Sequence, residues 1–168
     1  MHDTNFQRSV VLLVEHNEQG SLGFVMNRRL KVQINEVVEG IPDFEAPVFI
    51  GGPVEQSTLH FVHKLGDRLD GSHQVSKGLY WAGDFDKLRE MILKGEVSSD
   101  EILFFVGYSG WGPGQLDTEL DRKSWIIAPE NAEFVFQNDY SDLWRQVLQE
   151  MGDKYKVISN YPVDPRMN

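Results

Sequence analysis

Ile102-Leu103-Phe104-Phe105-Val106-Gly107-Tyr108-Ser109-Gly110-Trp111-Gly112-Pro113-Gly114-Gln115-Leu116 is the stretch on which the fold turns. Its first five residues are apolar without interruption and rich in β-favouring side chains, the pattern of a strand buried on both faces. Four glycines then space out Tyr108, Ser109, Trp111 and Pro113, and the pattern predicts a short acidic helix over about 113–121. With Gly112 as N-cap and Pro113 as first helical residue, the N–H groups of Gly114 and Gln115 would point outward and could hold an anion. The same residues can also close on themselves. Gln115 is spaced to fold back onto the cap, and Asp117 suits the positive helix end.

Outward from this stretch, Val10 to Val14 and Leu22 to Met26 form two apolar runs around a turn containing Asn17 and Gly20, which reads as a β-hairpin. Ile34, Val37 and Val38 suit a short helix stopped by Gly40. Pro47 to Ile50 reads as a strand ending in a Gly51-Gly52-Pro53 turn, and Leu59 to His63 and Leu79 to Trp81 are further strands. Asp84 caps a predicted helix whose inward stripe is Leu88, Met91 and Ile92, with Gly95 beyond its end. Downstream, Trp125-Ile126-Ile127-Ala128-Pro129 reads as a strand. Asp139 is the expected cap of a last helix with Leu143, Trp144, Val147, Leu148 and Met151 inward and Gly152 as its stop. The tail from Asp153 carries Pro162 and Pro165 and is expected to be only partly ordered. A leading hairpin, then strands mixed with helices without βαβ alternation, predicts an α+β fold rather than a doubly wound sheet.

A chain of 168 residues supports one core, so 1–160 is expected to form a single domain with 161–168 as a C-terminal tail. The 26 acidic against 16 basic side chains give a net charge of −10, which repels phosphate polyanions and anionic lipid and argues against direct contact with nucleic acid. The absence of cysteine excludes disulfides, thiolate metal sites and a cysteine nucleophile. No signal sequence or membrane span is recognisable at the start, so a cytoplasmic location is expected, with no membrane partner.

Ser109 lies where a strand turns toward a helix, but Gly107-Tyr108-Ser109-Gly110-Trp111 lacks the final glycine of a nucleophile elbow, and no histidine is placed by sequence to activate it. His60 and His63, three apart on a strand, face opposite sides and cannot share a metal ion; one is expected to face solvent. His16 falls in the hairpin turn as a surface residue. Trp111 either plugs an apolar gap or stands exposed as a binding anchor, and Trp144 is expected in the core. No catalytic residue, metal ligand or cofactor is assigned. The expected ligand-binding set is Asn27, Arg28, Gly52, Ser109, Trp111, Gly112, Gly114 and Gln115, because these residues lie in turns at strand ends.

Phe6 with Arg8 to Leu13, Glu15-His16-Asn17 with Gly20, Leu22-Gly23, Asn27-Arg28, Gly51-Gly52-Pro53-Val54, Leu59-His60 and the 107–116 run with Glu119 and Trp125 together resemble the bacterial AlgH/YqgE family. The resemblance implies a branched, mixed sheet rolled into a pseudo-barrel with flanking helices. Members are often labelled transcriptional regulators, yet the family implies no agreed activity, and nothing here resembles a helix-turn-helix. Two departures stand out: relatives usually carry an apolar strand before the start of this chain, and Arg29 stands where they have proline. Either this form is short at the N-terminus or its start is trimmed; if that strand pairs with the first hairpin in relatives, its absence is expected to expose a sheet edge, through which the chain could oligomerise. The functional expectation is a non-catalytic module that binds a small molecule or a protein and could serve regulation. The alternative is a hydrolase acting on a small anionic ester or phosphoester through Ser109.

Overall fold

The apolar run sits at the centre because strands flank it on both edges and packed layers cover both faces. It forms β8 (Ile102–Trp111), in a computed structural model that describes residues 6–161. Along its first half, β5 (Val54–His63) pairs antiparallel on one edge and β4 (Pro47–Ile50) parallel on the other. Along its second half, β2 (Gly20–Val25) pairs antiparallel through Ser21, Leu22 and Gly23. The sheet therefore branches at β8. Alternate β8 side chains enter two cores: Ile102 and Phe104 face one, Leu103 and Phe105 the other. That double burial explains why the run lacks the polar alternation of a one-sided strand.

The outer strands complete an eight-stranded sheet in the order β1-β2-β8-β5-β7-β6, where β1 is Val11–Asn17, β6 is His73–Ser76 and β7 is Leu79–Trp81; β3 (Arg29–Gln33) pairs β4 off this path. Among the described residues six helices flank the sheet, which nearly closes into a barrel: α1 (Ile34–Val37), α2 (Phe85–Leu93), α3 (Gln115–Asp121), α4 (Ala132–Val135), α5 (Leu143–Glu150) and α6 (Asp153–Ser159). The architecture is a single α+β domain, as the sequence predicts.

One core packs Leu88, Met91 and Ile92 of α2, with Ile34, Ile41 and Phe44, under Val48, Phe61 and Phe104. The expected cap holds, since Asp84 accepts from the Lys87 N–H at 3.1 Å. The other core packs Leu143 and Tyr140 against Phe24, Phe49 and Phe105, with Phe49 and Tyr140 edge-on at 4.9 Å.

Several expectations are corrected. Residues 125–129 form no strand, because no neighbouring strand of the described residues pairs with them. Asp142, not Asp139, is the N-cap of α5; Asp139 instead accepts from the Ser141 N–H at 2.8 Å and makes a local turn. Trp144 is half-buried rather than core, with the Arg8 guanidinium 4.7 Å over its ring. Gly152 does end α5, but Asp153–Ser159 then folds as α6 instead of beginning a loose tail. Pro162 and Pro165 lie outside the described residues. The hairpin is longer than predicted, with its turn reduced to Glu18 and Gln19.

Candidate functional site

The Gly51-Gly52-Pro53 turn lies directly on β8. The Gly51 N–H donates to the Val106 carbonyl at 2.9 Å, and the Gly51 carbonyl accepts from Val25 N–H at 2.8 Å and from the Ser109 hydroxyl at 3.0 Å. Ile50 N–H donates to the Arg28 carbonyl at 2.8 Å, which brings the segment after β2 onto the same seam. Above it lies a recess of about 30 Å³ lined by Val25, Arg28, Ile50, Gly52, Pro53 and Gln56. That volume admits about one water-sized group. Asn27 is occupied beneath: its Oδ1 accepts from Val10 N–H at 3.0 Å and its Nδ2 donates to the Arg8 carbonyl at 2.8 Å, stapling the chain before β1 and fixing where Arg28 emerges.

The structure brings Arg28, Gly52 and Ser109 to this seam, while Gly112, Gly114 and Gln115 belong to the far end of β8. There the helix starts two residues later than predicted: Gly114 is the N-cap of α3, at φ +69°, and Pro113 precedes the helix. The loop closes on itself. Gly112 N–H donates to Gln115 Oε1 at 3.0 Å, and Gln115 N–H donates to the Gly112 carbonyl at 3.0 Å. The Gln115 N–H, one of the two donors expected to face an anion, is thus spent inside the loop, and its side chain caps Gly112.

Trp111 is a plug, 7 % exposed. Its indole N–H donates to Glu119 Oε2 at 3.0 Å, and Trp125 donates to the same oxygen at 2.7 Å, while Gln115 Nε2 donates to Glu119 Oε1 at 3.1 Å. Phe6 packs on both indoles, with centroids at 6.2 and 5.3 Å, and the indoles meet edge-on at 5.7 Å. Sequence reasoning missed Glu119 as the centre of this cluster. The available signal was the four-residue spacing from Gln115 to Glu119, which puts both on one helix face.

Ser109 is fully buried, and its hydroxyl bonds a backbone carbonyl rather than a histidine. The histidines are engaged elsewhere. His16 Nδ1 lies 2.7 Å from Ser21 Oγ and its Nε2 lies 3.8 Å from Asp117, at the surface as expected. The Thr58 hydroxyl donates to the Glu55 carbonyl at 2.7 Å, so His60 Nε2 must donate to Thr58 Oγ1 at 2.9 Å. His63 is fully buried, and His60, the other of the pair, is half-buried. His63 Nε2 donates to the Ala82 carbonyl at 2.7 Å and its Nδ1 accepts from Leu65 N–H at 3.2 Å. Among the described residues no group of three or more His, Asp or Glu is placed to hold a metal ion.

Both strand histidines are held below the ordinary histidine value of 6.5. Burial is the main cause in each; Glu55 partly opposes it at His60, while at His63 the Ala82 carbonyl opposes it and Arg68 adds to it. The unfolded chain therefore takes up these protons first as pH falls. Stability is expected to be full above pH 6.5 and to drop below it, by up to about 1.4 kcal/mol per pH unit for each histidine while only the unfolded form is protonated. Exposed Asp100 and Asp139, lowered by hydrogen bonds from Ser98 and from Ser141 respectively, act only below their ordinary 3.8. Urea midpoints at pH 7.5 and 5.5 would separate the two windows; equal midpoints would contradict the histidine assignment.

A second opening, a cleft of about 430 Å³, lies where β7 leaves the sheet, lined by Leu59, His60, Phe61, Trp81, Ala82, Gly83 and Phe85. Its walls are aromatic and uncharged. The sequence does not announce it, since it depends on the turn at Ala82, a non-glycine residue at φ +61°.

A branched α+β sheet with a rigid glycine seam, and with Ser109 bonded to backbone rather than to a histidine, defines a scaffold that presents loops. The chain belongs to the AlgH-like family, whose model matches residues 1–156. It is 47 % identical over 168 residues to a UPF0301 protein of Cytophaga hutchinsonii, covering 99 % of this chain and 92 % of the relative. It is 41 % identical over 166 residues to a UPF0301 protein of Chlorobium limicola, covering 99 % and 89 %. The solution structure of the AlgH protein from Pseudomonas aeruginosa superposes with a TM-score of 0.73 at 27 % identity, over 96 % of this chain and 88 % of that one. A crystal structure of a Corynebacterium diphtheriae protein gives 0.80 at 25 % identity, over 96 % and 86 %. No described helix is long and apolar enough to cross a membrane.

Proposed function

We propose that this chain is a cytoplasmic, non-catalytic binding module whose partner is a protein. The partner docks on Arg28, Gly52 and the exposed Pro53 and Gln56, with the exposed loop residues Gly112, Gly114 and Gln115 as a second contact. Asn27, Ser109 and Trp111 serve that surface from beneath, as positioning residues. One observation carries the reading: Val25, Val106 and Ser109 all hydrogen-bond Gly51, and Ile50 bonds Arg28, so the recess stands on backbone that need not reorganise when a partner arrives. Magnitude favours a protein over a small molecule here, because about 30 Å³ is far below the roughly 300–1,000 Å³ of a ligand pocket. Arg28 suits a carboxylate or carbonyl on the partner. With a net charge of −10, any regulatory effect would run through proteins rather than DNA.

The alternative, ester hydrolysis by Ser109, is disfavoured by a hydroxyl with no exposed surface and a proton already given to Gly51.

Trp111→Ala would open the indole cluster and confuse binding with folding. The test is instead Arg28→Glu, with Lys77→Glu on an exposed turn as control, in affinity capture from cell extract followed by mass spectrometry. Loss of captured proteins with Arg28→Glu but not Lys77→Glu supports the reading, and identical sets end it.

A further inference from the structure

Strand β7 leaves the sheet early. It pairs with β5 only at Val62 and His63, and its last bond to that strand runs from Ala82 N–H to the Phe61 carbonyl at 3.1 Å. Ala82 then turns at φ +61°, and its carbonyl accepts from His63 Nε2. Beyond this turn no described strand continues the ladder along β5 toward Leu59.

Alternation shows which β5 groups are left open. Lys64 N–H bonds the Glu101 carbonyl on the β8 side, so His60, Val62 and Lys64 bond β8, while Leu59, Phe61 and His63 face the β7 side. Leu59 therefore directs both its N–H and its C=O toward the edge that β7 has vacated, beside the Phe61 N–H. The cleft of about 430 Å³ lies against this edge, between Leu59 to Phe61 and the departing 81–85 segment.

The cleft also straddles the sheet. Leu59, Phe61 and Phe85 belong to one core, with the Phe61 and Phe85 rings 6.1 Å apart, whereas the Trp81 and His60 rings lie on the other side, each against Phe24. A flat ring lying in the plane of the sheet would meet an aromatic side chain on each face. No acid, lysine or arginine lines the cleft, and burial holds His60 uncharged at neutral pH. Its volume falls within the roughly 300–1,000 Å³ of small-molecule pockets, which combine apolar walls with a few convergent polar groups. An anion would find no counter-charge there. A cation would suit the rings but leave the Leu59 and Phe61 N–H groups unpaired. What the Leu59 N–H and C=O match is a carbonyl and an N–H side by side on the guest.

We propose that this cleft binds a small, planar, uncharged ring compound carrying a cis amide, whose carbonyl accepts from Leu59 N–H and whose N–H donates to the Leu59 carbonyl. This goes beyond the partner-binding surface at Arg28 and stands independently of it.

Carbostyril, a neutral bicyclic lactam, is the probe, titrated into the isotope-labelled full chain and followed by amide NMR. Saturable shifts are expected at the Leu59 and Phe61 amides, with a Kd of about 1 mM or tighter for a ring of this size. N-methylcarbostyril keeps the shape but loses the N–H, and N-methylbenzamide keeps both groups but points them in opposite directions. Each should bind about tenfold more weakly than carbostyril. Phe85→Leu, which keeps an apolar residue but removes one aromatic wall, should also weaken the lactam, while Arg28→Glu leaves it unchanged. Absence of shifts at Leu59 and Phe61, equal binding of the methylated lactam, or indifference to Phe85→Leu would overturn the proposal. So would tighter binding of tetramethylammonium, which marks a cation site, or equal binding of the trans amide, which marks a strand-pairing edge.

Discussion

Gly52→Ala is expected to destabilise the fold by about 3 kcal/mol or more, and to leave Gly112→Ala, in the same family of turns, within about 0.5 kcal/mol of wild type. A methyl group at Gly52 would stand 2.2 Å from both the carbonyl carbon and the oxygen of Tyr108 and 2.4 Å from the Ser109 nitrogen. All three are backbone atoms. They cannot swing aside, because β8 is bonded to β2 beyond this point and to β4 and β5 before it. At Gly112 the nearest atom is Gln115 Oε1 at 3.9 Å, the end of a flexible side chain. Urea denaturation of both variants measures the difference. Equal midpoints would mean that the seam under Arg28 is soft, and the preorganised surface proposed for binding would lose its basis.

What the sequence reveals and conceals follows from where each element gets its stability. The run 102–106 and helix α2 are legible because their own apolar patterns record the burial: β8 is apolar on both faces, and α2 carries one stripe with an Asp84 cap. β6 leaves no such record, since His73 and Gln74 are exposed and the strand exists because β7 offers it a ladder. β3 carries a readable alternation at Leu30 and Val32, but over only five residues. Residues 125–129 err in the other direction, with strand composition and no neighbour to pair with. The candidate site divides in the same way. Glycines 51 and 52 are visible as a turn, whereas their closeness to Tyr108 and Ser109, more than fifty residues on, is a tertiary fact. The self-closing of the 112–115 loop is foreshadowed by Gln115; the indole cluster that Gln115 leads to is not.

The second large effect is expected at Glu119. This carboxylate accepts from the indoles of Trp111 and Trp125 on one oxygen and from Gln115 on the other, and Gln115 in turn accepts from Gly112 N–H. Glu119→Ala removes the acceptor for three donors at once. The Trp111 indole is nearly sealed and the Trp125 indole half-buried, so water replaces the lost bonds poorly, and an unsatisfied buried donor costs about 1–3 kcal/mol. The donors share one partner, so their losses do not simply add, and a total of about 2–4 kcal/mol is expected. Glu119→Gln should fall between, near about 1–2 kcal/mol. One amide oxygen can still serve both indoles, but the new NH₂ faces the Gln115 NH₂ and the charge that strengthened each bond is gone. Urea unfolding followed by tryptophan emission reads both variants, and the order wild type, Gln, Ala is the signature of an acceptor role. A variant pair of equal stability would show that the indoles hold without it.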